Sequence, residues 1–129
     1  MAETFAELYS QHTKEVFLEY ARQQMAQGND GLTSARHYAD LGKPDFTLAF
    51  LLLSEGAEDV KREILAHAYE QRAKFSEEKA ESFDKQFHRP FPMIKVEAQK
   101  DRTTARQVRE GRRIRREVKI RLNLDQAIS

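Results

Sequence analysis

The chain reads as all-α: a small helical bundle with a hairpin core, a long helix, and a basic C-terminal helix or extended tail. Three observations point there. The octet 46–53, Phe-Thr-Leu-Ala-Phe-Leu-Leu-Leu, is uncharged in a chain that is 33 % charged, and Leu and Ala favour helix. Apolar residues elsewhere recur mainly at steps of three and four. The turn-forming residues Gly28, Gly31, Gly42, Gly56, Pro90 and Pro92 fall between the periodic stretches. A buried strand of the same length is the rival for the octet, since periodicity does not separate the two over so short a run.

Residues 3–27 are expected to form a first helix, with Phe5, Leu8, Tyr9, His12, Val16 and Tyr20 on its buried stripe. A Gly-Asn-Asp-Gly turn follows. Asp30 or Thr33 caps a second helix that runs to Leu41, with Ala35, Tyr38 and Leu41 on one face. Gly42 suits the left-handed position after a helix, and Pro44 suits the first turn of the next one. Residues 32–54 therefore form a tight hairpin whose second helix, apolar all round, is the interior post of a core spanning 3–75. The hairpin does not recur at a 34-residue period, so it is read as general helix-hairpin chemistry.

The longest helix is expected over 57–88, about 48 Å long. Glu58 and Asp59 suit its first turn, and Glu58–Arg62, Glu70–Lys74 and Glu81–Lys85 are acid-before-base pairs four apart. Its buried stripe is read as Val60, Ile64, Ala68 and Phe75, widened by Leu65 and Tyr69. Past Phe75 the apolar residues thin out, so the distal part projects, folds back or meets another subunit. Pro90 and Pro92 stop it, because residues before proline are pushed towards extended geometry. A sparse helical stripe, Ala98, Ala105 and Val108, predicts helix to about residue 116. Val118, Ile120, Leu122 and Leu124 then alternate as an extended tail or short strand, with 94–96 the other short alternating run. The division is 1–92, helical core and arm, and 93–129, a basic segment packed on the same domain or on a partner subunit.

The bulk numbers bound the function. The 129 residues suit one domain, and a mean hydropathy of −0.77 is thin for a compact core, which favours elongated helices or association as a homodimer. There is no cysteine, which removes disulfides and thiolate chemistry. No stretch approaches the roughly 20 apolar residues of a membrane helix, so the expectation is a cytoplasmic protein with no membrane partner. Residues 1–94 hold 11 Lys and Arg against 16 Asp and Glu, a balance of −5; residues 95–129 hold 11 against 5, a balance of +6. Such asymmetry suits an acidic partner for the basic end, or neutralisation of one half by the other.

Two candidate surfaces follow. Arg102, Arg106, Arg109, Arg113 and Arg116 share one helical stripe, flanked by Arg112 and Arg115, a ridge able to contact successive phosphates. Pairing with the acidic helices upstream is its plain alternative, and residues 95–129 lack aromatic residues for base stacking. Phe83, Phe87, Phe91, Met93 and Ile94 cluster around two prolines, as a hinge folded onto the core or a partner-binding edge.

Two histidine groups have ligand-like spacing, Glu63/His67/Glu70 and His12/Glu15/Glu19. The Glu-x-x-His order of bundle metal sites is absent from both, so no metal or cofactor is assigned. His37 and His88 stand alone. No serine-nucleophile elbow, phosphate-binding loop or dinucleotide fingerprint is present, and no catalytic residue is assigned. The expectation is a non-catalytic interaction or adaptor protein that docks an acidic partner, with nucleic-acid binding as the alternative and a metal-dependent bundle enzyme third.

Overall fold

The computed structural model describes residues 3–90 and 92–114. They form six α-helices and one short 3-10 turn, with no strand among them: α1 (Phe5–Tyr9), the turn (Ser10–His12), α2 (Glu15–Ala26), α3 (Gly31–Asp40), α4 (Pro44–Leu53), α5 (Glu58–Phe87) and α6 (Pro92–Arg109). The all-α reading holds. The alternating run from Val118, and Arg115 and Arg116 of the ridge, lie outside the described residues.

The apolar octet is the interior post. Pro44 sits in the first turn of α4, where its missing N–H costs nothing. Leu48, Ala49, Phe50 and Leu51 are buried, and α4 touches α1, α2, α3 and α5. Burying each large side chain contributes about 1.5–3 kcal/mol. The polar side chains of this segment are satisfied locally: the Thr47 hydroxyl donates to the Lys43 carbonyl at 2.9 Å and Ser54 to that of Phe50 at 2.6 Å. Against α4 lies an aromatic layer. Tyr38 stacks on Phe46 at 4.9 Å, Phe17 meets Phe46 edge-on at 5.0 Å, and the hydroxyls of Tyr20 and Tyr38 are 2.6 Å apart.

The single helix expected over 3–27 is two. Thr4 caps α1, and Thr13 and Lys14 are extended before α2 restarts at Glu15. The break lets α1 and α2 face different neighbours. Phe5, Leu8 and Tyr9 are buried in the common core, where α1 touches α4 and α5, and the Tyr9 hydroxyl donates to the Arg112 carbonyl at 2.8 Å. Phe17, Leu18, Tyr20 and Ala21 pack towards α4. With its phase reset, α2 leaves Val16, read as buried, 67 % exposed. Leu41 is likewise exposed, as the residue that ends α3.

Helix ends explain the tight links. The Asp30 carboxylate accepts the Thr33 N–H at 2.9 Å, capping α3. At the other end the Gly42 N–H reaches the Ala39 carbonyl and the Lys43 N–H the Tyr38 carbonyl, the paired bonds of a glycine-terminated helix, with Gly42 at φ +67°. The same pair closes α6: Gly111 bonds to Val108 and Arg112 to Gln107, with Gly111 at φ +70°. Helix was expected to about residue 116; Gly111 ends it at Arg109.

Helix α5 is 30 residues long, about 45 Å. Its first half packs on α3 and α4 through Ile64, Leu65 and Ala68. Its distal half buries Ala73 and Ala80 against α6, which returns antiparallel along it as the most extensive helix pairing among the described residues. Phe75, read as part of the buried stripe, is 44 % exposed, because beyond the core the face that matters is the one turned to α6. Proline ends α5 as expected, but Pro92 also starts α6 six residues before Ala98, the first residue of the sparse stripe, since proline is well suited to a first turn. Among the described residues no helix is long and apolar enough to cross a membrane.

Candidate interaction surface on the α5–α6 arm

The arm is built on a seven-residue period. On α5, Ala66, Ala73 and Ala80 are buried at steps of seven; on α6, Ala98 and Ala105 do the same. Small residues at one seam let two helices approach closely, and a strict seven-step keeps that seam facing the partner. Beside the alanines run charges at the same step: Glu63, Glu70, Glu77 and Asp84 on α5, Lys95, Arg102 and Arg109 on α6. Antiparallel pairing sets them opposite one another. Arg109 donates to Glu63 at 2.8–3.1 Å and also pairs with Glu70; Arg102 meets Glu77 at 2.6 Å and Lys95 meets Asp84 at 3.4 Å.

The other flank carries the most buried ion pair among the described residues. Arg72 donates to both oxygens of Asp101, at 2.9 and 2.8 Å, with the Asp101 side chain 3 % exposed and that of Arg72 36 %. Burial disfavours the Arg72 charge, but the two bonds to Asp101 outweigh it and its pKa rises above the ordinary arginine value. The bonds that Arg109 donates to Glu63 and Glu70 raise its pKa as well, and the Arg109 bond holds the Glu63 carboxyl below its ordinary 4.5.

These pairs decide where the candidate ridge residues go. Arg102 and Arg109 lie on α6 with carboxylates of this chain already against them. Arg106 is exposed on α6. Arg112 and Arg113 fall beyond the helix end, Arg112 near Glu110 at 3.0 Å and Arg113 paired with Glu3. The expected stripe of five arginines is thus not one helical face: Gly111 turns the chain after Arg109. Basic α6 neutralises acidic α5 instead, the plain alternative named for the charge asymmetry. Of the three expected pairs four apart, Glu81–Lys85 forms at 3.6 Å; Glu58 instead accepts the Phe5 N–H at 2.8 Å and Glu70 turns to Arg109.

The histidine groups are also engaged. The Arg109 guanidinium sits between Glu63 and Glu70, so a cation of the chain itself occupies that pair of carboxylates. His67 Nε2 lies 2.8 Å from Asp40, in a shallow cleft of about 330 Å³ shared with Arg36, Glu63 and Ile64. Glu15 and Glu19 both accept from Arg22, at 2.6 and 3.3 Å. Among the described residues no group of three or more His, Asp and Glu is placed to hold a metal ion.

At the tip the seam changes character. Phe87 is the next seven-step after Ala66, Ala73 and Ala80, yet it is 51 % exposed at the end of α5. Phe83, half-buried, meets it edge-on at 5.9 Å, and the Lys79 ammonium lies 5.5 Å from the Phe83 ring centre. Met93 is 70 % exposed, Val96 is exposed and Ile94 half-buried. Of the five tip residues named from sequence, the structure brings Phe83, Phe87, Met93 and Ile94 to one end of the arm; Phe91 lies outside the described residues. Between 85 and 96 the chain carries Lys85, Arg89 and Lys95 and no carboxylate. Val96, the alanine seam and the Arg72–Asp101 pair were missed from sequence, although the seven-step of Glu63, Glu70, Glu77 and Asp84 is visible on counting.

No protein-family model, no curated protein and no solved structure matches this chain.

Proposed function

We propose that this is a non-catalytic interaction or adaptor protein whose α5–α6 hairpin carries an apolar tip to a protein partner. The single observation behind this reading is Phe87, a seam-position aromatic half in water where the preceding seam residues are buried alanines. Apolar side chains gathered at a projecting end, with Met93 beside them, are what a contact surface requires. The charges around them select the partner. Basic Lys85, Arg89 and Lys95 border the tip, Lys85 and Lys95 in part-exposed pairs with Glu81 and Asp84 for which a partner's carboxylates can compete, so the complementary surface is an apolar patch bordered by Asp and Glu.

Nucleic acid stands second. To use Arg102 and Arg109, phosphates would have to displace Glu77, Glu63 and Glu70 from them.

The test is capture from cells that carry this chain, comparing it with the double variant Phe87→Ser/Met93→Ser and with Val16→Ser, an exposed apolar position on another helix. A protein retained by the parent and by Val16→Ser but lost from the double variant is the expected result. Equal retention by all three would remove the proposal.

A further inference from the structure

We infer that the α5–α6 hairpin can open at its tip and exchange α6 with a second copy of this chain. The inference does not rest on the docking reading, and it names a different occupant for the same end of the arm.

The connection between Phe87 and Pro92 is short and set against closure. His88 takes φ 55° and ψ 34°, the left-handed region that a side chain with a β-carbon occupies at a cost. Pro90 disfavours the helical region for Arg89, so α5 does not continue as helix through this link. A short hinge under strain is relieved when the chain opens, which invites exchange of the element beyond it.

What α6 would meet on the second copy is the surface it leaves. Beyond the core, α6 is held by the alanine seam, by Arg72–Asp101, and by Arg102–Glu77 and Lys95–Asp84, all of them contacts with α5. Every one re-forms between copies without change, because each copy supplies both an acidic α5 and a basic α6. In the opened form the two hinges lie beside each other at the centre of the pair, and Phe87 and Met93 of one copy come against those of the other. Relief at His88 and cover for the exposed tip therefore oppose the entropy lost on association, which makes the exchanged population depend on concentration. The exchanged pair hides the tip, so the monomer is the form in which the tip is free for another protein.

The chain has no cysteine, which makes an introduced pair diagnostic. Full-length Glu77→Cys and Arg102→Cys chains are mixed, unfolded together and refolded at micromolar and millimolar concentration under mild oxidation. The two side chains touch in the hairpin and are part-exposed, so both single variants should fold, as circular dichroism will show. Exchange predicts a species of twice 15.0 kDa by light scattering, increasing with concentration, joined by a 77–102 disulfide on peptide mapping. It also predicts that His88→Gly lowers the dimer fraction several-fold, since glycine removes the strain of the closed hinge; an ordinary surface association would not respond. Monomer at every concentration, a dimer lacking the 77–102 link, or a dimer fraction unmoved by His88→Gly would overturn the inference.

Discussion

Arg72 holds both carboxylate oxygens of Asp101 across the α5–α6 seam, with the carboxylate sealed from water and the guanidinium about a third exposed. The two ends of this pair are therefore not equivalent. Arg72→Ala leaves an acid in the seam without its guanidinium and is expected to cost about 3 kcal/mol. Asp101→Asn leaves a guanidinium that can turn towards solvent and is expected to cost about half that. Urea unfolding of the two variants, with slopes compared to confirm two-state behaviour, gives the order.

The exposed ladder behaves differently. Glu77→Gln removes the partner of Arg102 between side chains that are each more than 40 % exposed, and should cost less than about 1 kcal/mol in dilute salt. In about 1 M salt, where screening extends over roughly 3 Å, that difference should nearly vanish while the Arg72→Ala penalty persists. Chemical denaturation in urea at the two salt concentrations measures both.

Two glycines with positive φ separate backbone strain from steric conflict. A β-carbon on Gly42 would lie 2.9 Å from the Arg72 backbone nitrogen, whereas one on Gly28 meets nothing within 4 Å. Gly28→Ala should cost about 1 kcal/mol from conformation alone. Gly42→Ala should cost distinctly more, because α3 must move off α5. Thermal melts of the two variants against the parent decide it.

Alkaline titration reports the core. Burial raises the Tyr9 phenol to about 12, and the hydrogen bond with Tyr20, followed by burial, raises that of Tyr38 to about 12, from an ordinary 10.0. The fold favours the neutral phenols, so this stabilisation is complete below pH 10 and is lost as pH rises through 12. On the acid side the Arg109 bond lowers the Glu63 pKa, so its contribution holds above the ordinary 4.5 and fades as pH falls through the folded value. Ultraviolet titration should show the Tyr9 and Tyr38 phenols ionising late and together with loss of helix. Four phenols ionising near pH 10 with the helix intact would contradict this placement.

The parts of this fold that local chemistry controls were readable in advance. An octet without charge has to be interior, Pro44 opens a helix, and Gly42 closes one. What was not readable depends on which surfaces meet. Nothing near Thr13 requires a break; it arises because α1 and α2 face different neighbours, and Val16 becomes exposed as a result. Phe75 keeps a helical step with Ile64 and Ala68, but α6 covers the face of Ala73 instead. Arg102 and Arg109 looked like part of a free ridge because their acids lie 25 to 46 positions earlier in the chain, a separation at which only the antiparallel return of α6 brings them together. The tip was legible as a group of residues, since Phe83 to Ile94 are neighbours in sequence, and its partner was not.

The central claim is that the end of the arm touches another protein. A photoreactive amino acid placed at Met93, and separately at Val16, tests it in cells that carry the chain. Irradiation should yield a covalent adduct with one other protein at position 93 and none at position 16. No adduct at 93, equal adducts at both positions, or an adduct at 93 only with a second copy of this chain would contradict it.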